Sequence, residues 1–203
     1  MKRKSFFITI EGPEGSGKSS VIKFIEQLLK EKGLSFKVYR EPGSTEVGEK
    51  IRKILLDKRN KKLSLHTELL LYLAARTQLI EEKLNKDLGK YDFIICDRFF
   101  DSTLAYQGFA LGLGKVVDAS VKMFSLGLVP NLTLVLDLPP KVGLARVKTK
   151  DRIESRALSF HNRLRKGYLQ LGKKYPRRIK IIDASTNLAQ IYKKVEKILN
   201  KAF

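Results

Sequence analysis

Short runs rich in apolar residues recur along the chain, at Phe6 to Glu11, Ser35 to Arg40, Phe93 to Asp97, Leu132 to Asp137 and Ile179 to Asp183. Each is strand-length and bounded by polar or glycine-containing sequence. Phe93-Ile94-Ile95-Cys96 and Leu134-Val135-Leu136 are apolar without alternation, as strands covered on both faces are. Between these runs apolar residues return at helical spacing over Lys18 to Lys32, Val47 to Leu56, Leu65 to Leu88, Asp101 to Leu111, Val116 to Leu126, Pro140 to Val147, Ile153 to Leu171 and Leu188 to Leu199. Strands alternating with helices predict crossover connections, hence a parallel sheet with helices on both faces. Ligands of such sheets sit at the carboxyl ends of the strands. Here those ends read Glu11, Arg40-Glu41, Asp97-Arg98, Asp137 and Asp183, a rim of carboxylates with two guanidiniums.

The first strand runs into Gly12-Pro13-Glu14-Gly15-Ser16-Gly17-Lys18-Ser19, followed by Ser20 and a helical pattern of Val21, Ile22, Ile25, Leu28 and Leu29. This is a phosphate-binding loop in its proper setting of strand, tight turn and helix. Its glycines let backbone N–H groups turn toward phosphate oxygens, and the helix N-terminus adds positive potential. Lys18 would neutralise the β and γ phosphates, and the Ser19 hydroxyl would face Mg²⁺. The pattern predicts a P-loop NTPase-type three-layer fold with a five-stranded parallel sheet, and a chain that binds a nucleoside triphosphate.

Composition narrows the rest. The 203 residues suit a single domain, and no apolar run reaches membrane-spanning length. Basic Met1-Lys2-Arg3-Lys4 precedes an apolar stretch too short for a signal peptide, so a cytoplasmic location is expected. The lone Cys96 lies inside an apolar strand, where a reduced, buried thiol is expected. With His66, His161 and one cysteine, no zinc-type ligand set can be assembled. The net charge of +20 is spread along the chain and lacks an aromatic platform, which favours solvated helix faces and a polyphosphate site over a nucleic-acid surface.

The acceptor is read from three segments: the phosphate loop from Glu11, Arg40-Glu41-Pro42-Gly43-Ser44-Thr45, and Asp97-Arg98-Phe99-Phe100-Asp101-Ser102-Thr103-Leu104-Ala105-Tyr106-Gln107-Gly108. In order and separation they resemble the thymidylate kinases, a branch of the nucleoside-monophosphate kinases, over nearly the whole chain. No Asn-Lys-x-Asp tetrad of a GTPase accompanies them. The resemblance implies transfer of phosphate from ATP to dTMP with Mg²⁺, in dTTP biosynthesis, by a homodimer packed through 65–88 and 101–126. Asp97 and Ser19 would hold the metal. Arg98 would clamp the acceptor phosphate, with Arg52 as a second clamp. Glu41-Pro42 resembles a position where the peptide bond is cis and shapes the acceptor pocket. Tyr72, where Phe is more usual, would stack on thymine, and Arg76 would bond the base edge. Thr103, Tyr106 and Gln107 would line the same pocket, and Glu14 would hold the 3′-hydroxyl.

The loop residues Glu14-Gly15-Ser16 lack the arginine that some thymidylate kinases carry there. The resemblance therefore assigns the missing charge to a basic lid at about 145–156. Arg146 would rest against adenine, and Arg152, Lys148 or Lys150 would reach the transferring phosphoryl group. Another nucleotide kinase, or a basic nucleic-acid-binding protein with a vestigial phosphate loop, are the alternative readings.

Overall fold

The computed structural model describes residues 5–201; the basic Met1-Lys2-Arg3-Lys4 segment lies outside them. The strands are β1 Phe6–Glu11, β2 Phe36–Arg40, β3 Phe93–Asp97, β4 Leu132–Asp137 and β5 Ile179–Asp183. They form one sheet in the order β2-β3-β1-β4-β5, with every pairing parallel. The expected fold class is the one observed. Register sets Ile10 and Arg40 both level with Asp97, so the ends of three strands finish together and their loops converge.

The strand period divides the core. Ile8, Ile10, Phe93, Ile95, Leu134 and Leu136 face one layer, made by α1 (Lys18–Glu31) through Val21, Ile25 and Leu29 and by α9 (Leu188–Leu199) through Ile191, Val195 and Leu199. Phe7, Ile94, Cys96 and Val135 face the other layer. That layer holds α3 (Leu65–Leu79) and α8 (Leu158–Lys174). Cys96 is a buried free thiol. Among the described residues no helix is long and apolar enough to cross a membrane.

The sequence pattern misplaces three helices. Leu65 to Leu88 is not one continuous α-helix: α3 gives way to a π-helical turn over Ile80–Leu84 and then α4 (Asn85–Asp87). The wider turn brings adjacent Leu79 and Ile80, together with Leu84, into the core. Asp101 to Leu111 is likewise α5 (Phe100–Thr103) followed by a π-helical segment, Leu104–Ala110. This segment runs through the interior, and Leu104, Ala105, Tyr106 and Gln107 are buried in succession. The helix expected from Ile153 begins instead at Leu158. Before it, the Asp151 carboxylate accepts from the Ile153 and Glu154 N–H groups, and Glu154 accepts from the Asp151 N–H, which closes a tight turn. The remaining helices, α2 (Glu46–Leu56), α6 (Gly114–Phe124) and α7 (Pro140–Arg146), lie within two residues of their sequence positions.

Candidate active site

The phosphate loop leaves β1 and enters α1 with Gly12, Gly15 and Gly17 at φ of 139°, 68° and 92°. A side chain at Gly15 would set its Cβ 2.1 Å from the Gly143 carbonyl oxygen, so only glycine lets α7 lie against the loop. Gly17 caps α1 without a side-chain hydrogen bond, and the first turn of that helix contains no acid. Its N–H groups are thus left for an anion. Lys18 Nζ donates back to the carbonyls of Gly12, at 3.3 Å, and Pro13, at 3.1 Å. Partial burial, then the charge of Arg98, pull the Lys18 ammonium down to about 8 against the opposing pull of Asp97, Glu14 and Glu11.

A cavity of about 300 Å³ opens beside this loop. Glu14, Gly15, Lys18 and Ser19 line it from the loop, and Arg40, Glu41 and Pro42 from the end of β2. Asp97, Arg98, Phe99, Ser102, Thr103, Tyr106 and Gln107 line it from the end of β3 onward, and Arg52, Leu56, Tyr72 and Arg76 from α2 and α3. The phosphate loop and the Asp97-Arg98 pair therefore share one space. Arg98 Nη1 bridges them, donating to the Gly12 carbonyl at 3.1 Å, to Ser102 Oγ at 3.1 Å and to the Tyr168 hydroxyl at 3.2 Å. Its backbone sits at φ 71°, a left-handed conformation uncommon outside glycine, held by its N–H on the Ile10 carbonyl.

Sequence reasoning placed the carboxylate beneath this cation at the rim but gave it no role. Glu11 is fully buried and accepts from the Phe99 N–H at 2.7 Å, from Ser102 Oγ at 2.5 Å and from Tyr168 at 2.9 Å. Burial raises it to about 7, over the opposing pull of Arg98. The folded chain therefore binds more protons at Glu11 than the unfolded chain between pH about 4.5 and about 7. Stability from this group falls as pH rises through that window. A Glu11→Gln protein, unfolded in denaturant at pH 5 and pH 8, is expected to lack this decline. An identical pH slope in both proteins would remove Glu11 from the account.

Glu14 behaves oppositely. Burial raises it, but His161, Arg98, Lys18 and the hydroxyl of Tyr106 together outweigh burial and carry it to about 2. Tyr106 donates to Glu14 Oε1, and His161 Nδ1 lies 3.4 Å from Oε2. His161, 1% exposed, belongs to the site through this contact; no motif marked it.

At the far end, Arg76 is 1% exposed. One Arg76 nitrogen serves both Glu41, in a close ion pair, and Thr103 Oγ1 at 2.8 Å; its Nε and Nη1 are buried without partners. Glu41-Pro42 is cis, and its Pro42 carbonyl accepts from Arg52 at 3.1 Å. Tyr72 lines the cavity, and burial raises its hydroxyl above the usual phenol range.

Of the expected lid cations, Arg146 lies against the phosphate loop and Arg152 is turned away from it. Arg152 does not point to the phosphate loop: it donates to Glu68 at 2.6 Å and to the Leu55 carbonyl at 2.6 Å. A buried carboxylate on α3, invisible to any local motif, holds it there. Arg146 is exposed and donates to the Gly15 carbonyl at 3.2 Å, on the loop itself. Lys148 and Lys150 are exposed. Ser16 is buried with its hydroxyl unpartnered, and Ser20 belongs to the first turn of α1.

A phosphate loop on a parallel sheet, facing an acid-guanidinium pair across one cavity, defines a phosphotransferase. The thymidylate kinase family model matches residues 10–195. The thymidylate kinase of Clostridium novyi (strain NT) is 41% identical over 202 residues, covering 97% of this chain and 98% of that protein. That of Latilactobacillus sakei subsp. sakei (strain 23K) is 43% identical over 96% of this chain and 94% of that protein. The crystal structure of thymidylate kinase from Ehrlichia chaffeensis superposes with a TM-score of 0.78 at 28% identity, over 97% of this chain and 99% of that one. The chain belongs to the thymidylate kinase family.

Proposed function

We propose that the cavity seats dTMP with its phosphate toward Arg98 and its base toward Arg76. The chain is a kinase that phosphorylates dTMP to dTDP with ATP as donor. The carrying observation is that Lys18 and Ser19 of the donor cradle line the same cavity as Asp97 and Arg98. Two phosphates in that space meet one another directly, which supports in-line transfer.

In this reading Arg98 and Arg52 clamp the acceptor phosphate, because guanidinium forks match phosphate oxygens. Glu14, ionised throughout the working pH range, receives the 3′-hydroxyl, while Tyr106 packs at C2′ and disfavours a ribose. Tyr72 stacks on thymine, and the unpartnered Nε and Nη1 of Arg76 serve the base edge. Gly12 to Ser20 cradle the ATP phosphates, with Arg146 at the adenine side. No general base is needed, since the acceptor is already an anion.

Asp97 and Ser19 fit Mg²⁺. Asp97 Oδ1 is buried without a partner, and no group of three acidic, His or Cys ligands occurs among the described residues, which suits a cation that keeps water and phosphate ligands. When bound, the metal neutralises charge on the phosphate oxygens. The chain's own residues hold the two nucleotides in line and exclude water. The segment at about 145–156 serves as a lid that swings in the single domain, releasing Arg152 or presenting Lys148 or Lys150. A homodimer through 65–88 and 101–126, working in the cytoplasm, completes the reading; exposed Leu70, Val116 and Met123 supply apolar surface for it.

Steady-state assays with dTMP, dUMP, dCMP and deoxythymidine, with and without Mg²⁺, test this. dTMP is expected to have the highest kcat/KM, and deoxythymidine to be no acceptor. Equal use of dCMP would refute the base assignment. Tight DNA binding at near-physiological salt with no turnover would favour the nucleic-acid alternative.

A further inference from the structure

Glu68 has no part in the roles above, yet it is the most enclosed charge near the base end of the cavity. It is 0% exposed and lies on α3, one helical turn before Tyr72. Its Oε2 accepts from Arg152 and from Arg156, each at 2.6 Å, and its Oε1 accepts from Gln107 Nε2 at 2.9 Å. Two guanidiniums pair with this carboxylate, and a carboxylate held in ion pairs offers only hydrogen-bond acceptors to its remaining neighbour. The Gln107 amide therefore has one allowed orientation, with its NH₂ on Glu68 and its carbonyl oxygen left for the cavity that it lines.

We propose that Glu68 is a specificity-determining positioning residue, which selects a base with an N–H donor by fixing which end of Gln107 faces it. The proposal rests on the seating of the pyrimidine beside Arg76 and Gln107. Thymine and uracil carry a donor at N3, which the Gln107 carbonyl accepts. Cytosine carries an acceptor there, and two acceptors face to face leave both unsatisfied in a buried site. The orientation is imposed from outside the pocket, by charges on the segment between α7 and α8, so no pocket-lining residue reveals it.

Glu68→Gln tests the idea because it keeps shape and removes charge. Arg152 and Arg156 would draw the new side chain's carbonyl, turning its amide toward Gln107. Gln107 then flips and offers NH₂ to the cavity. The expected result is a fall of about tenfold or more in the ratio of kcat/KM for dTMP to that for dCMP, read against the wild-type ratio. Loss of stability or of a lid contact would slow both substrates and leave the ratio alone. An unchanged ratio in a folded Glu68→Gln protein overturns the proposal. A wild-type protein that already uses dCMP as well as dTMP would instead overturn the base assignment. Should Glu68→Gln not fold, wild-type protein with N3-methyl-dTMP gives the answer: rejection by tenfold or more supports a carbonyl facing N3, and equal use overturns it.

Discussion

Lys18→Ala is expected to lower kcat by about two to three orders of magnitude while the protein melts within a few degrees of the wild type. Phosphoryl transfer spreads negative charge over the moving group, and a preorganised cation is among the largest single contributions to catalysis of this kind. In the folded chain the Lys18 ammonium bonds only to the carbonyls of Gly12 and Pro13, within its own loop. Its depressed pKa of about 8 shows that the fold holds this charge at a cost, from burial first and then from Arg98. Removing it relieves the cost of burial and the repulsion from Arg98 and gives up hydrogen bonds only within its own loop, so stability should not suffer. Turnover and a thermal melt on the same preparation check the two halves of the claim. Near-normal turnover would mean that the phosphate loop is not where the chemistry occurs.

Arg76→Met should instead cost folding stability, by about 3–5 kcal/mol, and raise the KM for dTMP as well. Arg76 and Glu41 form an ion pair whose side chains are 1% and 2% exposed. Without the arginine the Glu41 carboxylate is left buried alone. Burial already pushes Glu41 upward against the pull of Arg76, so losing the arginine pushes it further toward its protonated form. A second substitution separates the two effects. Glu41→Gln with Arg76→Met removes the stranded charge and should regain most of the stability, whereas the dTMP KM should stay high because the base loses its donors. Denaturant unfolding and dTMP kinetics on both variants decide it. Recovery of KM in the double variant would show that Arg76 acts only by holding Glu41.

Much of the site could be read one strand end at a time. Asp97 closes β3 with Arg98 next to it, and Lys18 and Ser19 open α1 after the short loop from β1, so a parallel sheet suffices to bring them to one rim. Thr103, Tyr106 and Gln107 all line the cavity although the segment that carries two of them is π-helical, because they turn inward in a stretch buried almost throughout. His161, Tyr168 and Glu68 left no such trace, and Glu11 was legible only as one carboxylate of the rim, without a role. Each matters through a partner more than thirty positions away, as in Tyr168 with Glu11 or Gln107 with Glu68. Arg152, expected toward the transferring phosphoryl group, is paired with Glu68 in the folded chain, a contact that no local motif signals.

The order of apolar runs and the glycine-rich turn by themselves determined the parallel sheet, its two helical layers and the phosphate cradle, because periodicity and turn chemistry are local properties of the chain. Tertiary structure alone decided which charges are satisfied and which are offered. Arg152 and Arg156 are held by Glu68, Arg76 keeps two nitrogens free, and Gln107 is locked in one orientation. Hydrogen bonds and ion pairs across the core depend on distance in space, and burial removes the water that would otherwise let each group choose its own partner.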